Sequence, residues 1–145
     1  MRYTAKRAAE DVINIVGKET GISVLDGLVI LDPMEVKDAI DWVKWVEGLK
    51  QAAFFNQHGK CMCGEKLIYE GELHHALFSR ADLLGTRDDA KNRILNHSYN
   101  CIICHKKCHE KAVRRKCLIY LIGLFGDPVN DWCNSIYGQH LIRRF

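Results

Sequence analysis

Two adjacent histidines, His74 and His75, stand upstream of the run Asn100-Cys-Ile-Ile-Cys-His-Lys-Lys-Cys-His109. Imidazole accepts a proton near neutrality and, when neutral, binds divalent metals. An asparagine can orient such a base, and cysteines set beside histidines are soft metal ligands. Together these residue types supply a general base, a group to aim it and a place for a cation. Metal-assisted hydrolysis of a phosphodiester needs those parts.

The rest of the chain must position them. Its 145 residues suit one domain, long enough to bury a core and short enough that a structural metal would help. A formal net charge of +3 points to no partner by itself. After the cysteine–histidine run, however, Lys106, Lys107, Lys111, Arg114, Arg115, Lys116, Arg143 and Arg144 are offset only by Glu110, Asp127 and Asp131. This is a candidate phosphate-facing surface, although such runs more often solvate one face of a helix. No basic-then-apolar leader opens the chain, which reads as intracellular and cytoplasmic. In a reducing compartment closely spaced cysteines are more often metal ligands than disulfide partners. The apolar run at 117–125 is too short to span a membrane.

Ala8, Ala9, Val12, Ile13 and Val16 fall at helical spacing, which predicts a helix over 4–16 closed by Gly17. Asp26-Gly27 between the apolar runs 22–25 and 28–31 predicts a tight hairpin. Asp32 as N-cap, Pro33 in the first turn and Glu35 completing a capping box predict a long helix reaching about Phe55, with Val36, Ile40, Val43, Val46, Leu49 and Ala53 on its apolar side. Trp42 and Trp45 on that helix read as core rather than as a platform for stacking bases. A helix over 112–124 stops at Gly126. Asp127-Pro128 then opens a last helix through Val129, Trp132, Ile136 and Tyr137 that ends near Gly138. Cys117 and Cys133 read as buried thiols. His97 and His140 read as surface or packing residues.

From His58 to His109 the chain resembles the HNH endonucleases, of the kind carried by phages and mobile elements. The matching pieces are Cys61-Met-Cys63-Gly64, then Glu72-Leu-His-His-Ala-Leu-Phe-Ser-Arg80, and Leu95-Asn-His-Ser-Tyr-Asn-Cys-Ile-Ile-Cys-His-Lys-Lys-Cys-His-Glu110. The resemblance implies an α+β fold: a small ββα-metal core over 58–112 with a zinc-stapled hairpin, flanked by a helical extension with a hairpin over 1–57 and a helical extension over 113–145, all in one compact domain. It implies His75 as general base, His74 and His109 as ligands of a catalytic cation, and Asn100 as the residue that ties the loop so that the base faces the attacking water. The cation would be magnesium or manganese, with nickel or zinc as further candidates.

Two registers follow from the resemblance. In the preferred one a structural zinc is held by Cys61, Cys63, His105 and Cys108. In the other, counted from His105, Asn96 replaces Asn100, Cys101 and Cys104 complete the zinc set, and His109 becomes a third histidine on the catalytic metal. The first cysteine pair has one intervening residue where the family usually has two. Arg80 is expected on the scissile phosphate or in a salt bridge with Asp82, Asp88 or Asp89, and Lys111, Arg114 and Arg115 on the DNA backbone. The implied function is hydrolysis of DNA, with nicking by a monomer and double-strand cutting by a homodimer, and no membrane partner. The alternative is a zinc-stabilised DNA-binding module without nuclease activity, and a weaker one is a metal-stabilised interaction domain.

Overall fold

Thr4 opens the first helix, its hydroxyl accepting from the Arg7 amide, and Gly17 closes it in the left-handed conformation, donating to the Ile13 carbonyl. This is α1, Ala5–Val16. The computed structural model describes residues 2–67 and 71–140 of the chain; Arg143 and Arg144 lie outside them, as does the side chain of His140. Next, β1 (Ile22–Leu25) and β2 (Leu28–Leu31) pair antiparallel across Asp26-Gly27. Asp26 and Gly27 have φ of 53° and 76°, as a two-residue turn with positive φ at both positions requires.

The predicted long helix is divided. Asp32 does accept from the Met34 amide, but only a single 3₁₀ turn, Pro33–Glu35, follows, and Val36 is extended. The helix proper, α2, is Trp42–Asn56, and its cap is Asp41, whose carboxylate accepts from the Val43 and Lys44 amides. Two aspartates offered a start, and the second one carries the helix. Trp45 is fully buried as expected, with Nε1 donating to the Asn96 carbonyl at 2.8 Å.

Helices α1 and α2 cross at Gly48, where an added Cβ would stand 2.5 Å from Val16 Cγ2 and 3.3 Å from Val12 Cγ1. Both neighbours are β-branched and stiff in a helix. Gly48→Ala is expected to destabilise the protein by up to about 2 kcal/mol, because overpacking of roughly 1–3 kcal/mol outweighs the gain of about 1 kcal/mol in helix propensity. A urea midpoint equal to or above that of the wild type would show that the two helices part freely.

The second hairpin joins β3 (Glu72–His75) to β4 (Cys101–Cys104) in antiparallel register, Glu72 opposite Cys104 and His75 opposite Cys101. The connection between these strands holds an unanticipated helix, α3 (Asp88–Leu95), and a 3₁₀ turn, Ser98–Asn100. After β4 come the one-turn helix α4 (Lys106–His109), then α5 (Arg114–Phe125) and α6 (Pro128–His140). Helix α6 runs past Gly138 instead of ending there.

The described residues thus form a mixed fold of helices and two small antiparallel hairpins. Their cores join elements that lie far apart in the chain. One joins α1, β2 and α2 to Cys101 of β4, and another joins residues 76–78 and α3 to α5 and α6. Consecutive residues at the end of α2 bridge the hairpins. The Asn56 side-chain amide exchanges two hydrogen bonds with the Val29 backbone of β2, and that of Gln57 exchanges two with the Ile103 backbone of β4. No helix among the described residues is long and apolar enough to cross a membrane.

Candidate metal centre and neighbouring histidines

After α2 the chain makes a tight knuckle. The Lys60 and Lys66 backbones bridge antiparallel, the Cys61 amide donates to the Glu65 carbonyl, and the Gly64 amide donates to the Cys61 carbonyl. Cys61 and Cys63 are therefore presented by one loop, while His105 and Cys108 come from the start of α4. The four donor atoms lie within 4.8 Å of one another. From His105 Nδ1, the Cys63 and Cys108 sulfurs are 3.6 and 3.9 Å away. A tetrahedral zinc would set sulfur and nitrogen roughly 3.5 Å apart.

The tautomer suits a cation as well. His105 Nε2 lies 2.9 Å from the Lys66 carbonyl, which only accepts, so Nε2 carries the proton and Nδ1 turns its lone pair to the sulfurs. Burial pushes the Cys61 thiol up, yet the Cys63 and His105 amides and the Cys63 and Cys108 thiols outweigh it, leaving Cys61 below the ordinary thiol value. The donors fit a structural metal such as zinc, and the single residue between Cys61 and Cys63 is no obstacle.

Cys101 and Cys104 stand apart from this cluster. Both are buried in β4; the Cys101 thiol donates to the Leu95 carbonyl and burial raises its pKa, while that of Cys104 is pushed up to about 12 by burial, then by Cys61 and Glu72. They are packing thiols, as are Cys117 and Cys133, each raised by burial to about 11. His97 is also a packing residue. Its ring is buried between Tyr99 and Trp132, with Nδ1 accepting from the Tyr99 amide.

The second group of interest is on β3. Strand alternation sends Glu72 and His74 to one face, and Leu73 and His75 to the other. On the first face the His74 and His109 rings meet edge to face, centroids 4.6 Å apart. His109 Nδ1 is 2.9 Å from a Glu72 carboxylate oxygen, and His74 Nε2 is 3.0 Å from the Ala112 carbonyl. Both partners accept, so each ring carries a proton on that nitrogen, and His109 Nε2 and His74 Nδ1 are the nitrogens these contacts leave over. Glu72 has no role in the family resemblance, although its place two residues before His74 puts it on the same strand face.

His75 lies half-buried at the end of β3, its Nε2 buried and without a hydrogen-bond partner. Burial lowers its pKa; the Asn96 side chain favours its protonated form, though no hydrogen bond of ordinary geometry reaches Nε2, and Arg80, His74 and His109 lower the pKa further. Asn100 is fully buried. Its Oδ1 accepts from the Leu77 and Phe78 amides, and its Nδ2 donates to the Phe78 and Leu95 carbonyls. It fastens the segment that directly follows His75.

Of the expected DNA contacts, Lys111, Arg115 and Arg80 are exposed. The aspartates suggested as partners for Arg80 are engaged elsewhere: Asp82 by Arg114, Asp88 by Lys91 and Asp89 by Arg93. Arg114 thus braces the loop after β3. No protein-family model, curated protein or solved structure matches this chain.

Proposed function

We propose that the protein is a metal-dependent endonuclease of the HNH kind that hydrolyses DNA phosphodiesters, with His75 as general base. One observation carries the reading: His74 and His109 face each other, each with one ring nitrogen held by Ala112 or Glu72, and the next residue along the strand, His75, turns to the other face with a buried nitrogen that has no partner. A zinc staple needs none of this. His74 and His109 would hold a divalent cation, which supplies charge neutralisation at the scissile phosphate. His75, its pKa lowered by burial, is the base that takes a proton from water. Asn100 fixes the backbone from which His75 projects, and Glu72 holds the ring of His109. Arg80, exposed and close enough to act on His75, reaches toward a phosphate, with Lys111 and Arg115 along the backbone.

The second reading, a zinc-stabilised DNA-binding module without hydrolysis, is favoured by a specific fact. Among the described residues only Cys61, Cys63, His105 and Cys108 bring three or more donor atoms together.

The readings part in a supercoiled-plasmid assay with magnesium or manganese. Wild type is expected to yield open-circle or linear DNA, and His75→Ala to lose roughly 10²–10⁴-fold in rate while retaining zinc and its melting temperature. DNA retarded in a gel but never cut under any metal would hand the case to the binding module.

A further inference from the structure

A cavity of about 1130 Å³ opens between the end of α2 and the metal knuckle, away from the described histidine pair in its lining residues. Three rings reach it, Tyr3, Phe54 and Phe55, together with Lys50, Lys66 and His58. No carboxylate is among the described residues that line it. Two acids touch its lining: Asp11 accepts from the Tyr3 hydroxyl, and Glu47 makes an exposed pair with Lys50 at 3.4 Å, of a kind worth about 0–1 kcal/mol. The turn that presents His58 is unusual. His58 and Gly59 both take the left-handed conformation, with φ of 55° and 69°, and a histidine pays for that geometry where glycine does not. Lys66 is exposed, since only its carbonyl serves His105.

We propose that this cavity binds nucleotide units of single-stranded nucleic acid, bases against Phe54 and Tyr3 and phosphates against Lys66 and Lys50. Aromatic faces interleaved with cations are what an unpaired strand requires, because every base has a stacking face and every linkage a negative charge. The pocket lies open to solvent, so a strand seated in it can continue beyond its rim. The site is separate from the proposed chemistry, and its test reads binding without cleavage.

Fluorescence anisotropy of a labelled oligothymidylate of about twelve nucleotides, with no divalent metal added, provides that test. Wild type is expected to bind it more tightly than a duplex of equal length. Phe54→Ala should weaken binding roughly 5- to 100-fold, the range for loss of one stacked base. Lys66→Glu should weaken it at least about tenfold and flatten the salt dependence. It alters an exposed side chain, so it decides the matter if Phe54→Ala fails to fold. Adenosine monophosphate binding as tightly as the strand would identify a free nucleotide as the source of the same chemistry. Absence of binding to either ligand, unchanged affinity in a folded variant, or duplex bound as tightly as single strand would each overturn the proposal.

Discussion

Protein purified without chelator is expected to carry one zinc per chain, and removal of that zinc to lower the melting temperature by at least about 10 °C. The reasoning rests on scale: structural zinc sites release roughly 10–16 kcal/mol in small peptides, against a total stability of about 5–15 kcal/mol for a domain. The cluster fastens the knuckle to α4, and the small core beneath it, Ala53, Cys61, Leu67, Ile103 and Cys104, adjoins both α2 and β4. Cys108→Ser should lose the metal. Cys101→Ala and Cys104→Ala should keep it, since neither thiol lies in the cluster. Elemental analysis with calorimetry checks each point. A zinc-free preparation that melts where the untreated protein does would reduce the cluster to four unligated side chains.

Asn100→Ala is expected to cost about 3–5 kcal/mol, the largest effect of any single substitution outside the metal cluster. The side chain is fully buried and makes four hydrogen bonds, and its partners Leu77, Phe78 and Leu95 belong to the hydrophobic core. Truncation strands two amides and the Phe78 carbonyl, while the Leu95 carbonyl keeps the Cys101 thiol, and each stranded group costs roughly 1–3 kcal/mol before any entering water offsets part of it. Asn100→Asp should be no milder, because a carboxylate would face the Phe78 and Leu95 carbonyls where a donor is needed. Urea unfolding with an unchanged slope gives the measurement. A loss under about 1 kcal/mol for both variants would mean that the loop after β3 is held by something else.

Features encoded by neighbouring residues were legible in the chain. The Asp26-Gly27 turn, the Gly17 stop and the helix over 114–125 follow from local chemistry. The start of α2 was misplaced because Asp32 and Asp41 both look like caps, while apolar spacing continues through the extended stretch between them. Helix α3 was hidden by its polarity and by Arg87, which caps it with no side-chain bond. Within the candidate site, the four-donor cluster is the zinc set of the register preferred from the family resemblance. Spacing alone could not choose it. Glu72, Asn56 and Gln57 went unassigned because their partners lie far along the chain, where no short window of sequence reaches.

The paired amides at the end of α2 bear on the open edges of the two hairpins. A two-stranded hairpin leaves unpaired backbone groups along its outer edges, and such edges recruit strands from other molecules. Asn56 and Gln57 each present a donor and an acceptor to one hairpin, as a neighbouring strand would. A helix terminus therefore shields part of two sheets from self-association. The N-terminal layer is in this sense a guard on the strand that carries Cys101 and Cys104, and separating it from the rest would uncover an adhesive edge beside the candidate site.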